Sequence, residues 1–232
     1  MAAETDDVVG RASDVAARAR DGGALLARET SEFDRGLSFY DAIYGFAITL
    51  LIANVDAPPA EAWRDLPSLL ATGVLGQLGG FVLSFVVIAV FWRLNVRLMK
   101  RLTGMDSATT TMNLVAAGFV VLLPFTTQGI SDPATDPYAL PAILYALNIA
   151  IASLAQIAMF EVARYRGLEV APMTRREHVA FVLDWMPTPA VFLASVPIAL
   201  LWGPDVGKIS WAALLVVGPL SGRLVRRWAV RG

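Results

Sequence analysis

Asp41 is the side chain whose placement most constrains what this chain can do. It lies in Arg35-Gly-Leu-Ser-Phe-Tyr-Asp-Ala-Ile-Tyr-Gly-Phe-Ala-Ile-Thr-Leu-Leu-Ile, an apolar run of membrane-spanning character with an arginine at its mouth. A carboxylate near the middle of a spanning helix costs about 2.5–3.5 kcal/mol on insertion scales. Such a residue is kept where a partner or a polar interior receives it. At about 100° per residue, Asp41 stands about 140° from Phe46 and about 120° from Arg35. It is expected to look toward neighbouring helices, while Phe46, Thr49 and Ala53, at i, i+3 and i+7, form a separate stripe. Trp92, Asn95 and Asn113 belong to the same membrane half and offer Asp41 an indole N–H and two carboxamides.

Other chemistry is scarce. The chain has no cysteine and one histidine, His178, which removes thiolate nucleophiles, disulfides and a histidine metal cluster. Asp184, beside Trp185, is a second carboxylate in an apolar run; it follows a basic loop, where water or Arg175 and Arg176 can receive it. His178 reads as interfacial, and Glu161 as the i,i+3 partner of Arg164. Neither an enzyme nor a cofactor is expected. A net charge of −1 argues against nucleic acid, which calls for a basic surface.

The elements that position these residues follow from composition. The chain is 56% hydrophobic and 17% charged over 232 residues, where soluble domains carry about 25% charge. A spanning helix needs about 20 mostly apolar residues. Six such windows occur, near Gly36–Val55, Leu69–Trp92, Thr110–Thr127, Tyr138–Val162, His178–Leu201 and Ile209–Arg226. Barrel strands of about ten alternating residues do not fit these continuous runs. Residues 1–34 form a polar, acid-rich leader without a cleavable signal peptide and read as a disordered tail or loose surface helix. Residues 35–228 form the membrane domain, and 229–232 a short tail. Gly73, Gly76 and Gly80 permit close helix approach, and Asp106 or Ser107 can cap the helix that starts near Thr109.

Basic residues set the orientation. Of the 19 Lys and Arg, 17 fall before the first window, in the second and fourth connections or at the end of the sixth, leaving Arg64 and Lys208 opposite. Both termini are therefore expected in the cytoplasm, in a multi-pass protein of the cell membrane. The lipid bilayer is the expected surrounding.

Three stretches in order carry a resemblance. Arg35-x-x-x-Phe39-Tyr40-Asp41 resembles the Arg-x-x-x-Phe-Ser-Asp signature of the transmembrane protein 175 family of endosomal, lysosomal and prokaryotic potassium channels. Ser84-Phe85 with Trp92-x-x-Asn95 is similar to the family's Ser-Phe and Trp-x-x-His, and Asn113-Leu114 with Leu122-Leu123-Pro124-Phe125-Thr126 to its third helix. The family implies an all-α unit of six transmembrane helices that assembles as a homotetramer, with first helices lining a central pore. It implies passage of K+ through a hydrophobic constriction rather than a carbonyl filter. Carried over by position, Phe46 becomes the apolar ring, Thr49 a hydroxyl ring beside which K+ passes transiently, and Ala53 the next pore-lining position. Arg35, Phe39, Asp41, Trp92 and Asn113, with Asn95, become the packed polar network that fixes helix one. This chain departs from the pattern at Tyr40 for serine, Asn95 for histidine, and Phe46 for the usual Ile or Leu.

The resulting expectation is a passive potassium-type cation channel. The alternative is a secondary transporter of a small ion or solute; against it, no pair of broken helices is apparent at corresponding positions of two halves.

Overall fold

Apolar runs separated by Pro, Gly and Asp fold into a bundle of helices, because without water each backbone N–H and C=O must be paired within its own segment. In the computed structural model residues 25–230 are described, with side chains described through residue 223. Most of the expected leader, with Arg11, Arg18 and Arg20, falls outside that set, as do Arg231 and the side chains of Arg226 and Arg227.

Helix α1, Ser31–Ala53, starts where Thr30 Oγ1 accepts from the Phe33 N–H, with Glu32 and Asp34 in the first turn, the acidic start that complements a helix dipole. A short α2, Leu66–Leu70, leads to α3, Val74–Met99. Gly73 begins α3 with φ +78°, a left-handed turn that suits glycine. The third span is two helices, α4, Ser107–Val121, and α5, Leu123–Ser131; Asp106 caps α4 by accepting from the Thr109 N–H at 2.9 Å. Helix α6 runs Ala139–Tyr165, followed by α7, Arg175–Trp185, and α8, Pro187–Trp202, bent by 40° at Met186. Helix α9, Pro204–Ser210, passes through a 3-10 turn, Trp211–Ala213, into α10, Leu214–Val230.

Among the described residues four helices are long and apolar enough to cross a membrane, with the third span counted as one, and five if the bent α7–α8 pair counts as one span. The chain is an all-helical, multi-pass membrane protein. The window expected at His178–Leu201 bends because Pro187 and Pro189 cannot donate into the preceding turn. The window expected at Ile209–Arg226 is divided by the Trp211 turn, leaving α10 at 17 residues with Pro219 inside it.

Helix α6 is the axis of the bundle. Tyr145, Ile149, Met159 and Phe160 on it are fully buried, and α4, α5 and α8 pack around it. Gly80 lets α3 close on α5: a Cβ there would lie 1.8 Å from Ser131 Oγ, whereas at Gly76 the nearest atom is an ordinary 3.9 Å away. One end of the bundle is knitted by backbone. Strands β1, Leu26–Ala27, and β2, Gly104–Met105, pair antiparallel with Leu26 opposite Met105, and the Thr103 N–H donates to Leu168 O at 2.8 Å. Arg28 Nη1 donates to Lys100 O at 2.8 Å, and Arg166 pairs with Asp106. The basic residues of both connections thus gather at that end.

Candidate ion-conduction site

Along α1, Arg35, Phe39, Ala42, Phe46, Thr49 and Ala53 fall within an arc of about 80°, and all six are exposed in the protomer. Phe46 is 70% exposed. Phe33, Tyr40, Tyr44, Ala47 and Leu51 form the opposite, buried face. The helix therefore has one face committed to its own bundle and one apolar face with a single hydroxyl in its outer half. Thr49 Oγ1 donates its one proton to Phe46 O at 2.9 Å, so its lone pairs remain for a cation.

Side chains on the other flank fix this helix. Trp92 Nε1 on α3 donates to Asp41 Oδ1 at 2.7 Å, a charge-assisted bond. Tyr40 Oη donates to Thr110 O on α4 at 3.1 Å. Asn95 Nδ2 donates to Asn113 Oδ1 at 2.6 Å, a buried amide pair between α3 and α4. The residues expected as one network thus form two separate pairs, Asp41–Trp92 and Asn95–Asn113. Arg35 and Phe39 sit with Phe46 and Thr49 on the exposed stripe, and Arg35 has no ion-pair partner among the described residues. A cleft of about 300 Å³ opens between the start of α1 and the end of α3, lined by Asp34, Asp41, Asn95, Lys100 and Arg28 among others.

A third tether escapes the sequence reading. Gln156 Nε2 on α6, 1% exposed, donates to Tyr44 Oη and to Phe91 O, both at 3.1 Å. Further out, Ser84 Oγ lies 3.0 Å from Tyr145 Oη and 2.6 Å from Thr127 Oγ1, which is 2.6 Å from Leu123 O. A head-to-tail run of protons from Tyr145 through Ser84 and Thr127 to that carbonyl satisfies all three hydroxyls. The available signal was Tyr145, Asn148 and Gln156, three polar side chains within about 80° of one helix face. Trp211 Nε1 donates to Ser195 Oγ at 2.9 Å, and its ring lies 5.0 Å from Tyr145 and 5.5 Å from Phe192. His178 contacts Glu161, which also lies 4.0 Å from Arg164, and Asp184 is exposed near the end of α7. None of the described residues forms a group of metal-ligating side chains.

Removing the acceptor of Trp92 is expected to act on stability first. Asp41→Ala should lower the melting temperature and impair assembly, with about 1.5–3 kcal/mol at stake for a bond to a charged group. Ion preference of the protein that does assemble should not change. An assembled Asp41→Ala protein with altered preference would place the carboxylate in the ion path instead.

Residues 35–124 match the family model described as endosomal/lysosomal potassium channel TMEM175. A potassium channel of Streptomyces collinus is 26% identical over 166 residues, 68% of this chain and 80% of the relative. The fold is similar to the crystal structure of a lysosomal potassium-selective channel TMEM175 homologue from Chamaesiphon minutus. That likeness has a TM-score of 0.61 and 21% identity, and covers 87% of this chain and 98% of the other. The residues that match the family model begin at Arg35 and end at Pro124 and take in Asp41, Trp92, Asn95 and Asn113.

Proposed function

We propose that this protein conducts K+ passively, as a six-span subunit of a homotetramer in which four α1 helices surround the path. The observation that carries this reading is the unpartnered α1 stripe from Arg35 to Ala53, on a helix whose opposite face is packed and hydrogen-bonded. Four copies around an axis would turn Phe46 into an apolar ring and Thr49 into a hydroxyl ring one turn further out. An ion at an apolar ring sheds water without gaining ligands, so the path is gated by wetting. The relatives that match are potassium channels by name, which supports K+ as the permeant ion. In this reading residues 1–34 are a cytoplasmic segment, 35–228 the channel domain and 229–232 a tail.

A transporter would place broken helices at corresponding positions of two halves. The chain breaks at Leu122, at Met186 and at the Trp211 turn, in the third, fifth and sixth windows. Only the third and sixth therefore correspond when windows 1–3 are set against 4–6, and ion flux is what separates the two readings. Proteoliposomes under a K+ or an Na+ gradient test the proposal. Discrete single-channel steps with K+ preferred are expected; slow, saturable flux without steps would favour the transporter.

The orientation is tested separately. Labels on either terminus should be protected in intact cells, while labels after Pro58 or near Pro133 should be reachable from outside. Accessible termini would reverse the topology.

A further inference from the structure

The inner and outer halves of α1 are held differently. Before Phe46, hydrogen bonds from three side chains fix the helix to three neighbours: Asp41 to α3, Tyr40 to α4 and Tyr44 to α6. From Phe46 to its end, one side-chain hydrogen bond to another helix occurs among the described residues. Asn54 Nδ2 donates to Pro124 O at 2.9 Å. Asn54 is the residue that closes α1, directly after Ala53 and five residues after Thr49.

Its acceptor sits at a fixed point. Pro124 cannot donate to the preceding turn, and the third span breaks there, α4 ending at Val121 and α5 starting at Leu123. The break is clasped from two sides. Asn148 Nδ2 on α6 donates to Thr126 Oγ1 at 3.3 Å, and Thr127 meets Ser84 of α3 in the buried hydroxyl run that ends on Tyr145. The Pro124 carbonyl is thus presented by a junction that α3 and α6 hold in place. Two residues on, Asp56 exchanges hydrogen bonds with Gln77 of α3 at 2.8 and 3.2 Å, which holds the chain that leaves the helix. Asn54 is the tie on the helix's own last turn; without it that turn can rotate and carry Thr49 and Ala53 together toward a different direction.

We propose that Asn54 is a positioning residue for ion selection, setting the rotation of the outer turns of α1 and therefore the direction in which Thr49 and Ala53 face. This rests on the reading that α1 lines the ion path. Asn54 itself touches no ion; it acts through Thr49.

The test uses the full chain, which has no cysteine of its own. Thr49→Cys is made alone and with Asn54→Leu, which keeps the side chain's shape and removes the donor. Both are reconstituted and treated with a membrane-impermeant cationic thiol reagent. The K+/Na+ reversal potential under bi-ionic conditions is measured for Asn54→Leu and for Asn54→Gln, which retains an amide donor. Block of Thr49→Cys is expected, establishing the path. Asn54→Leu should then lower the K+/Na+ permeability ratio about fivefold, the factor that one neutral hydrogen bond represents, and change the rate of block at Thr49→Cys. Asn54→Gln should stay near the parent ratio. An assembled Asn54→Leu channel with the parent reversal potential, in which Thr49→Cys is still blocked, would overturn the positioning role and leave the α1 path standing. If Thr49→Cys is not blocked, the path reading itself falls, and this inference with it. Should Asn54→Leu not assemble, Asn54→Ser also removes the amide and is read by the same reversal potential.

Discussion

Shortening Phe46 should open the channel. Phe46→Ala or Phe46→Asn is expected to raise K+ flux about tenfold, equivalent to ~1.4 kcal/mol off the barrier, and to weaken rejection of Na+ and larger cations. The ring is 70% exposed on the protomer's unpartnered stripe, so its removal leaves little void in the subunit's own core. What changes is the space the stripe faces, where a smaller or polar side chain lets water persist. Thr49→Val should instead shift preference among small ions. Flux per channel, with the oligomer measured in the same detergent, separates this from simple loss of packing. A Phe46→Ala protein that falls apart without conducting more would assign the bottleneck to another residue, such as Leu50 or Ala53.

The largest stability loss is expected at the far side of the bundle. Trp211 is 7% exposed and sits in the turn between α9 and α10, with its ring against Tyr145 of α6 and Phe192 of α8. Trp211→Ala removes that ring contact and the donor to Ser195 Oγ, which still donates to Phe192 O at 2.7 Å, and opens a cavity the neighbours can only partly fill. Large aromatic deletions of this kind cost about 3–5 kcal/mol, which for a chain of this length is roughly 6–20 °C in melting temperature. Trp211→Phe keeps most of the ring contact and should lose about 1 kcal/mol, the hydrogen bond alone. Calorimetry or fluorescence melting in detergent decides it; a Trp211→Ala midpoint within a degree of the parent would show that the C-terminal helices are held elsewhere.

The long spans were legible because a continuous apolar run has one compact solution in lipid. Helices α1, α3 and α6 occupy the windows read from sequence, with ends displaced by a few residues. The proline-bearing windows were less legible. Pro124 was visible as part of a motif, yet whether a proline bends a span or divides it depends on which neighbours satisfy the freed backbone. Here the Val120 carbonyl accepts from the Leu122 N–H, and the hydroxyls of Thr126 and Thr127 donate to Leu123 O. The wheel correctly turned Asp41 away from Phe46, and Trp92 is its partner. It could not say that Asn95 and Asn113 would choose each other, because a helical wheel gives a face and not the neighbour across from it. The Tyr44–Gln156 bond joins residues 112 positions apart, and no local pattern encodes such a pairing.

That separation also sets a schedule for making the protein. Helix α1 is among the first described elements to leave the ribosome, but its partners arrive in sequence: Trp92 is 51 residues behind Asp41, Pro124 70 behind Asn54, and Gln156 112 behind Tyr44. At synthesis rates of about 5–20 residues per second, the last of these appears roughly 6–22 s after Tyr44. Until then the Tyr44 hydroxyl and the Phe91 carbonyl lack their amide donor. The nascent first helix therefore waits in the bilayer with its buried face unmatched, and a chain halted before α6 would expose that face to lipid, quality-control proteases or a premature partner copy.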